Sequence, residues 1–158
     1  MSALKIESPI YLLESTEKCY RCGVTAPVVA LACFKMAVQL DDGGGWEEML
    51  NSEELILISN VVLLPPSILD RVQEIHPFLK KRFSRTANTE YLMNVCPECN
   101  VHFGDFYLHC KPDGAFFPMD EDAAARIKIR DMKFTGIFEI DATSGMGVGG
   151  LIWSRGKK

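Results

Sequence analysis

Residues 96 to 110 read CPECNVHFGDFYLHC, which places three cysteines, two histidines and two carboxylates within one short stretch. A second pair stands far upstream in CYRC, at Cys19 and Cys22. Together Cys19, Cys22, Cys96 and Cys99 form C-x2-C…C-x2-C, two clips that supply four thiolates to a tetrahedral metal ion, the usual donor set of a structural zinc site. One Zn2+ per chain is the cofactor this spacing implies. With four protein ligands the coordination sphere is closed, so such an ion holds the chain together and activates no water. Redox chemistry of the thioredoxin type is the competing reading, but that motif normally stands once, in a βαβ setting.

The segment from 23 to 95 separates the clips, so the fold itself must bring them together. Closing a loop of that length costs about 4 kcal/mol, because the entropy grows only with the logarithm of length. A structural zinc contributes about 10 to 16 kcal/mol and offsets it. His102 and His109 read as surface or neighbouring groups, since a full cysteine set is already present. Cys33 reads as a small core residue and Cys110 as a core residue or a free thiol.

The elements that must position these groups follow from pattern. SPIYLLES is a short apolar strand that delivers the chain to Cys19, and Pro27 opens VVALACFKMAVQL, whose β-branched start favours a strand buried on both faces and whose later half fits a helix equally well. Residues 41 to 54, DDGGGWEEMLNSEE, hold six acids, no base and three consecutive glycines, and read as a loop or hairpin tip. LILISNVVLLPP gives one or two strands stopped by the Pro65-Pro66 pair. Ile68, Leu69, Val72, Ile75 and Leu79 follow at helical spacing, which predicts an amphipathic helix over 67–82, kinked or split at Pro77. TEYLMNV is a strand leading to Cys96, and Pro97 predicts a helix start on the second clip. The tail is read as a C-terminal hairpin over 133–154, KFTGIFEID and VGGLIWS joined by a glycine-rich turn.

These readings combine into a single α+β domain over 1–158: a mostly antiparallel sheet, one main helix and a treble-clef or zinc-ribbon-like four-cysteine site formed by distant segments. Knuckle one lies near 19–22, an insertion with strands and helix spans 24–95, and knuckle two lies near 96–99. The 158 residues suffice for a real core, and 47% hydrophobic with 24% charged residues is an ordinary soluble composition. The N-terminus has no basic region followed by an apolar run, and no window reaches transmembrane length, so a reducing cytoplasm is the expected location. Six cysteines there are not a disulfide framework.

The run FSRTANTEYLMNVCPECNVHFGDFYLH, together with YLLESTEKCYRCGVTAPVVALA, resembles a pattern in short bacterial zinc-binding proteins of no established activity. The resemblance is carried by Cys19 and Cys22 before a valine-rich strand, then by Phe83, Ser84, Arg85, Thr86, Asn94, Cys96, Pro97, Cys99, Gly104, Asp105 and Phe106. It implies the zinc site and a treble-clef-like arrangement with the second clip at a helix start. Asn100 departs from the glycine usual after the second clip, though asparagine tolerates the left-handed conformation.

For function, the site implies binding and not catalysis. The leading expectation is a protein partner, engaged as an inhibitor or toxin-neutralising component. The contact surface is the acidic segment, with Trp46 as anchor among Asp41, Asp42, Glu47, Glu48, Glu53 and Glu54. The net charge of −4 argues against a nucleic-acid binder, yet the basic run KKRFSR at 80 to 85 keeps nucleic acid as the alternative. A further alternative is a nuclease or hydrolase built on His102, Asp105 and His109, which helical spacing would put on one face. Asp105 otherwise reads as a brace of the knuckle through backbone N–H groups. SGMGVGG lacks the Lys-Ser/Thr of a phosphate loop and reads as a turn.

Overall fold

In the computed structural model, which describes residues 2–40 and 44–158, long strands carry the architecture. β1 (Ser2–Lys18), β2 (Thr25–Val38) and β3 (Leu50–Leu63) come first, followed by helix α1 (Pro66–Ile75). β4 (Leu79–Ser84), β5 (Thr89–Val95) and the short β6 (His102–Phe103) make a separate three-stranded sheet. Helices α2 (Asp105–His109) and α3 (Glu121–Ala125), strands β7 (Lys128–Asp131) and β8 (Ile137–Gly145), and helix α4 (Gly149–Arg155) complete the chain. Every pairing between these strands is antiparallel. The result is the expected single α+β domain with a mostly antiparallel sheet.

The main sheet closes on itself. β1 pairs with β2, β2 with β3, β3 with β8, and β8 returns to the first half of β1, while β7 pairs with the second half of that same edge. Register shifts between Glu7 and Ile10, Cys33 and Lys35, and Ser59 and Leu63 bend the strands enough to allow this closure. Alternate residues then serve two cores. Val29, Leu31 and Cys33 of β2 join Ile6, Ile10, Ile56 and Ile58 in one, which α1 covers with Ile68 and Val72. Val28, Ala30 and Ala32 face the other way, against Phe103, Leu108, Phe116 and Ile152. Burial on both faces is what the uninterrupted apolar run of β2 demands.

Several expected elements differ, beginning with the short strand SPIYLLES, which belongs to the 17-residue β1. The helix expected over 67–82 ends at Ile75, and residues 79–84 pair with β5 instead, because Pro77 cannot continue the helical hydrogen bonding. The C-terminal hairpin expected over 133–154 is a strand followed by α4: LIWS is helical because Ile152 enters the second core and Trp153 packs edge-on against Phe34 and Tyr11. The glycine-rich link allows that approach, since a Cβ on Gly149 would stand 1.7 Å from the Leu55 carbonyl oxygen. The acidic stretch is not all loop, because β3 begins at Leu50 and includes Glu53 and Glu54. No helix among the described residues is long and apolar enough to cross a membrane.

Candidate metal centre

Each cysteine clip is the tip of a hairpin, and the two tips repeat one local geometry. In the first, the β1–β2 register runs to Lys18 and Thr25. The turn is closed by Cys19 N–H donating to the Val24 carbonyl at 2.8 Å and Gly23 N–H donating to the Cys19 carbonyl at 3.0 Å. In the second, Val95 pairs with His102, Cys96 N–H donates to Val101 at 2.8 Å and Asn100 N–H to Cys96 at 3.0 Å. The fifth residue of each turn has positive φ, Gly23 at +80° and Asn100 at +67°. Asparagine is the side chain best able to replace glycine there, and its Oδ1 also accepts from the Arg82 guanidinium at 3.0 Å.

This geometry corrects the expected helix start on Pro97. The turn at Asn100 sends the chain back along β5 as β6, and the helix waits until Asp105. The second clip is therefore a hairpin knuckle like the first, not a helix N-terminus.

A buried amide ties the two hairpins together. Asn94, 2% exposed, accepts from Val29 N–H through Oδ1 at 2.8 Å and donates through Nδ2 to the Val29 carbonyl at 3.0 Å. It thus imitates a strand partner for β2 across the gap between the sheets. Phe103 fills the space behind Cys19 and Cys96 in one apolar cluster. Tyr20, between the first two ligands, donates its hydroxyl to the His102 carbonyl at 3.3 Å.

The four thiols converge. Cys19 Sγ lies 3.6 Å from Cys99 Sγ, Cys22 Sγ lies 3.6 Å from Cys96 Sγ, and all four sulfurs fall within 4.8 Å of one another. A tetrahedron with zinc–sulfur bonds of about 2.3 Å has sulfur–sulfur edges of about 3.8 Å, so the donor set fits a metal ion. Disulfides need about 2.05 Å, and all six cysteines are free. Cys19 and Cys96 are buried, Cys99 is half-buried and Cys22 is exposed, so one edge of the cluster meets solvent.

The electrostatics suit thiolate ligation. Burial pushes the Cys19 thiol up, but backbone N–H groups of Cys22 and Arg21 and the neighbouring thiols hold it down at about 6. Cys22 is pushed up to about 12: the Val24 N–H favours its thiolate, while burial and its bonds to Cys96, Cys19 and Cys99 oppose it. The opposite shifts of Cys19 and Cys22 belong to one interacting pair, and a cation between the sulfurs favours the ionised form of both. Among the described residues this is the group of potential ligands that converges. Cys33 stays in the core, its thiol pushed up to about 12 by burial, and Cys110 is exposed at the end of α2.

The remaining candidates do not assemble. His102 lies on β6 and lines a surface cleft, whereas Asp105 and His109, one turn apart on α2, line an internal cavity. Asp105 does not brace the knuckle: its Oδ2 accepts from the Asn60 N–H of β3 at 2.6 Å, and its own N–H donates to the Tyr91 hydroxyl at 3.0 Å. Burial raises its carboxyl to about 7, against the lowering effect of the Asn60 bond. His109 packs on Phe116 with ring centres 5.2 Å apart, and burial lowers it to about 4.

Of the acidic segment, Asp41 and Asp42 lie outside the described residues. Trp46 bridges Gln39, and the Lys5 ammonium sits 4.3 Å over its ring, so the indole is engaged within the chain. Glu47, Glu48, Glu53 and Glu54 are exposed. The basic run at 80 to 85 is strand β4 with the turn after it, not the end of a helix. Two features escaped the sequence reading: the Asn94 clamp, and a cleft beside the metal site lined by Tyr20, Phe83, Arg85, His102 and Tyr107. Comparison with family models, curated proteins and solved structures finds no match.

Proposed function

We propose that the chain is a small zinc-binding protein whose Cys19, Cys22, Cys96 and Cys99 site is structural, and that it acts by binding another protein. The observation that supports this is the convergence of four thiols from two hairpin tips into one closed tetrahedral set. Such a set suits zinc or iron; zinc is the assignment because it takes four-thiolate ligation in structural sites without redox chemistry. Two like knuckles make the arrangement ribbon-like and not treble-clef-like, which departs from the helix start at the second clip that the resemblance to short bacterial zinc proteins implies. The cytoplasm is the compartment in which these thiols stay reduced.

The partner surface is the acidic face at Glu47, Glu48, Glu53 and Glu54, and its complement is a basic protein surface. Inhibition or neutralisation of a toxin or enzyme is the form of binding that suits the size and charge. With Trp46 held by Lys5, recognition rests on the carboxylates rather than on an aromatic anchor. The test is an NMR titration of the zinc-loaded protein with an oligo-arginine peptide. Shifts confined to residues 44–54 and their neighbours, abolished when the four glutamates are replaced by lysine, are the expected result. Shifts mapping elsewhere, or surviving that replacement, contradict the assignment.

A further inference from the structure

Beside the metal site, and apart from the acidic face, lies a cleft of about 420 Å³ lined by Tyr20, Phe83, Arg85, Met93, His102 and Tyr107, with Ser84, Thr86 and Gly104. That volume falls within the range of small-ligand sites, about 300 to 1,000 Å³. Its aromatic content is unusual for a surface: Tyr20 is 63% exposed and Phe83 52% exposed. Folding gains little from leaving these rings in water. Tyr20 is nonetheless oriented by its hydroxyl bond to the His102 carbonyl and by edge contacts to Phe103 and Tyr107 at 6.3 and 6.4 Å. An exposed ring fixed in advance lowers the entropy cost of binding.

The chain segments that form the cleft are rich in basic residues. The two stretches that flank it, residues 18–24 and 79–87, carry Lys18, Arg21, Lys80, Lys81, Arg82 and Arg85: six of the 17 basic residues and none of the 21 acidic ones. All six are exposed except Arg82, half-buried and bonded to Asn100. The nearest exposed acids in the chain path are Glu90, opposite Phe83 in the β4–β5 register, and Glu98 in the second knuckle. Of the six basic residues, Arg85 lines the cleft itself, while Lys80 and Arg82 alternate to the opposite face of β4 from Phe83.

Rings and cations together suit a ligand that offers flat π-faces and regularly spaced anions. We infer that the cleft is a binding site for single-stranded nucleic acid, with bases stacking on Tyr20 and Phe83 and a phosphate meeting Arg85, while Tyr107, its ring already covered by the Lys111 ammonium at 4.6 Å, forms the wall. Bases paired inside a duplex cannot reach rings in a concave site, whereas an unpaired strand can. An acidic peptide would use the cations and leave the aromatic lining without a purpose. The site goes beyond the protein-binding reading and does not depend on it.

Fluorescence anisotropy of the zinc-loaded protein with a labelled single strand of about a dozen nucleotides, as DNA and as RNA, tests the inference. A duplex of the same sequence and an oligo-glutamate peptide serve as rivals. The expected result is preference for the single strand, with affinity falling linearly on a logarithmic salt axis by about 0.7 per phosphate contacted. Phe83→Ala and Tyr20→Ala each weaken binding by about 5- to 150-fold. Arg85→Ala lowers the salt slope. Zinc stoichiometry and circular dichroism are recorded for each variant, and Phe83→Ala and Arg85→Ala change exposed side chains, which keeps the test independent of folding. Absence of binding at low salt, equal binding of duplex or oligo-glutamate, or binding that survives both aromatic substitutions overturns the inference.

Discussion

Replacing Asp105 by asparagine should stabilise the protein above neutrality, the opposite of what loss of a hydrogen-bonded carboxylate usually does. Asp105 is buried, and burial lifts its carboxyl from 3.8 to about 7 while only the Asn60 N–H favours the charged form. Its place at the start of α2 also favours charge, but a helix end contributes about 0.3 to 1 kcal/mol, less than this desolvation. With the folded value above the unfolded one, stability is greatest below about pH 4, falls as pH rises toward 7, and is level beyond. The shift of roughly three units corresponds to about 4 kcal/mol at 1.36 kcal/mol per unit. Asn keeps an oxygen for the Asn60 N–H and removes the ionisation, so Asp105→Asn should gain up to about 4 kcal/mol at pH 8 and progressively less toward pH 5. His109 complicates the parent curve. Its folded value is lowered by burial from 6.5 to about 4, so its contribution is present above pH 6.5 and lost as pH falls through that window. The difference between parent and variant cancels His109 and isolates Asp105. Urea unfolding followed by circular dichroism from pH 5.5 to 8, with zinc saturating, measures it. A difference independent of pH, or a variant less stable at pH 8, refutes the reasoning.

Asn94→Leu keeps the branched shape of the side chain but leaves both backbone groups of Val29 without partners in the interior; at about 1 to 3 kcal/mol for each orphan, a loss of about 2 to 6 kcal/mol is expected in chemical denaturation. Gly149→Ala forces a Cβ into the Leu55 carbonyl and should cost about 3 kcal/mol. Gly145→Ala, where nothing lies within 4 Å, is the control and should stay within about 0.5 kcal/mol in the same melts. Gly23→Ala places a side chain at φ +80° in the first knuckle, and a penalty of about 1 to 2 kcal/mol should appear in thermal unfolding of the zinc-loaded form.

The clips were legible because metal ligation fixes residue type and spacing together, and a C-x2-C pair survives any insertion between its copies. β2 was legible for a related reason, since an unbroken apolar run has one stable placement, between two cores. Where the sequence reading failed, tertiary contacts overruled local pattern. Leu79 continues the helical spacing of Ile68 and Val72, yet Pro77 releases it to pair with Asn94 in the second sheet. LIWS has the composition of a strand, and becomes helical because Gly149 lets α4 sit on Leu55 and Ile152 reach the core. Asp105 could be seen as important but not assigned, since its partner Asn60 is on β3 and no local signal links them. The aromatic cleft was equally hidden: Tyr20, Phe83 and Tyr107 come from three segments, and only the folded hairpins bring them to one surface.

The central claim is that four cysteines hold one structural zinc. Elemental analysis of the purified protein, with thermal unfolding before and after a strong chelator, tests it most directly. One zinc per chain, and a folded state that loses its cooperative transition once the metal is withdrawn, is the predicted result. A metal-free protein with titratable thiols at Cys19, Cys22, Cys96 and Cys99 and an unchanged unfolding transition would contradict it.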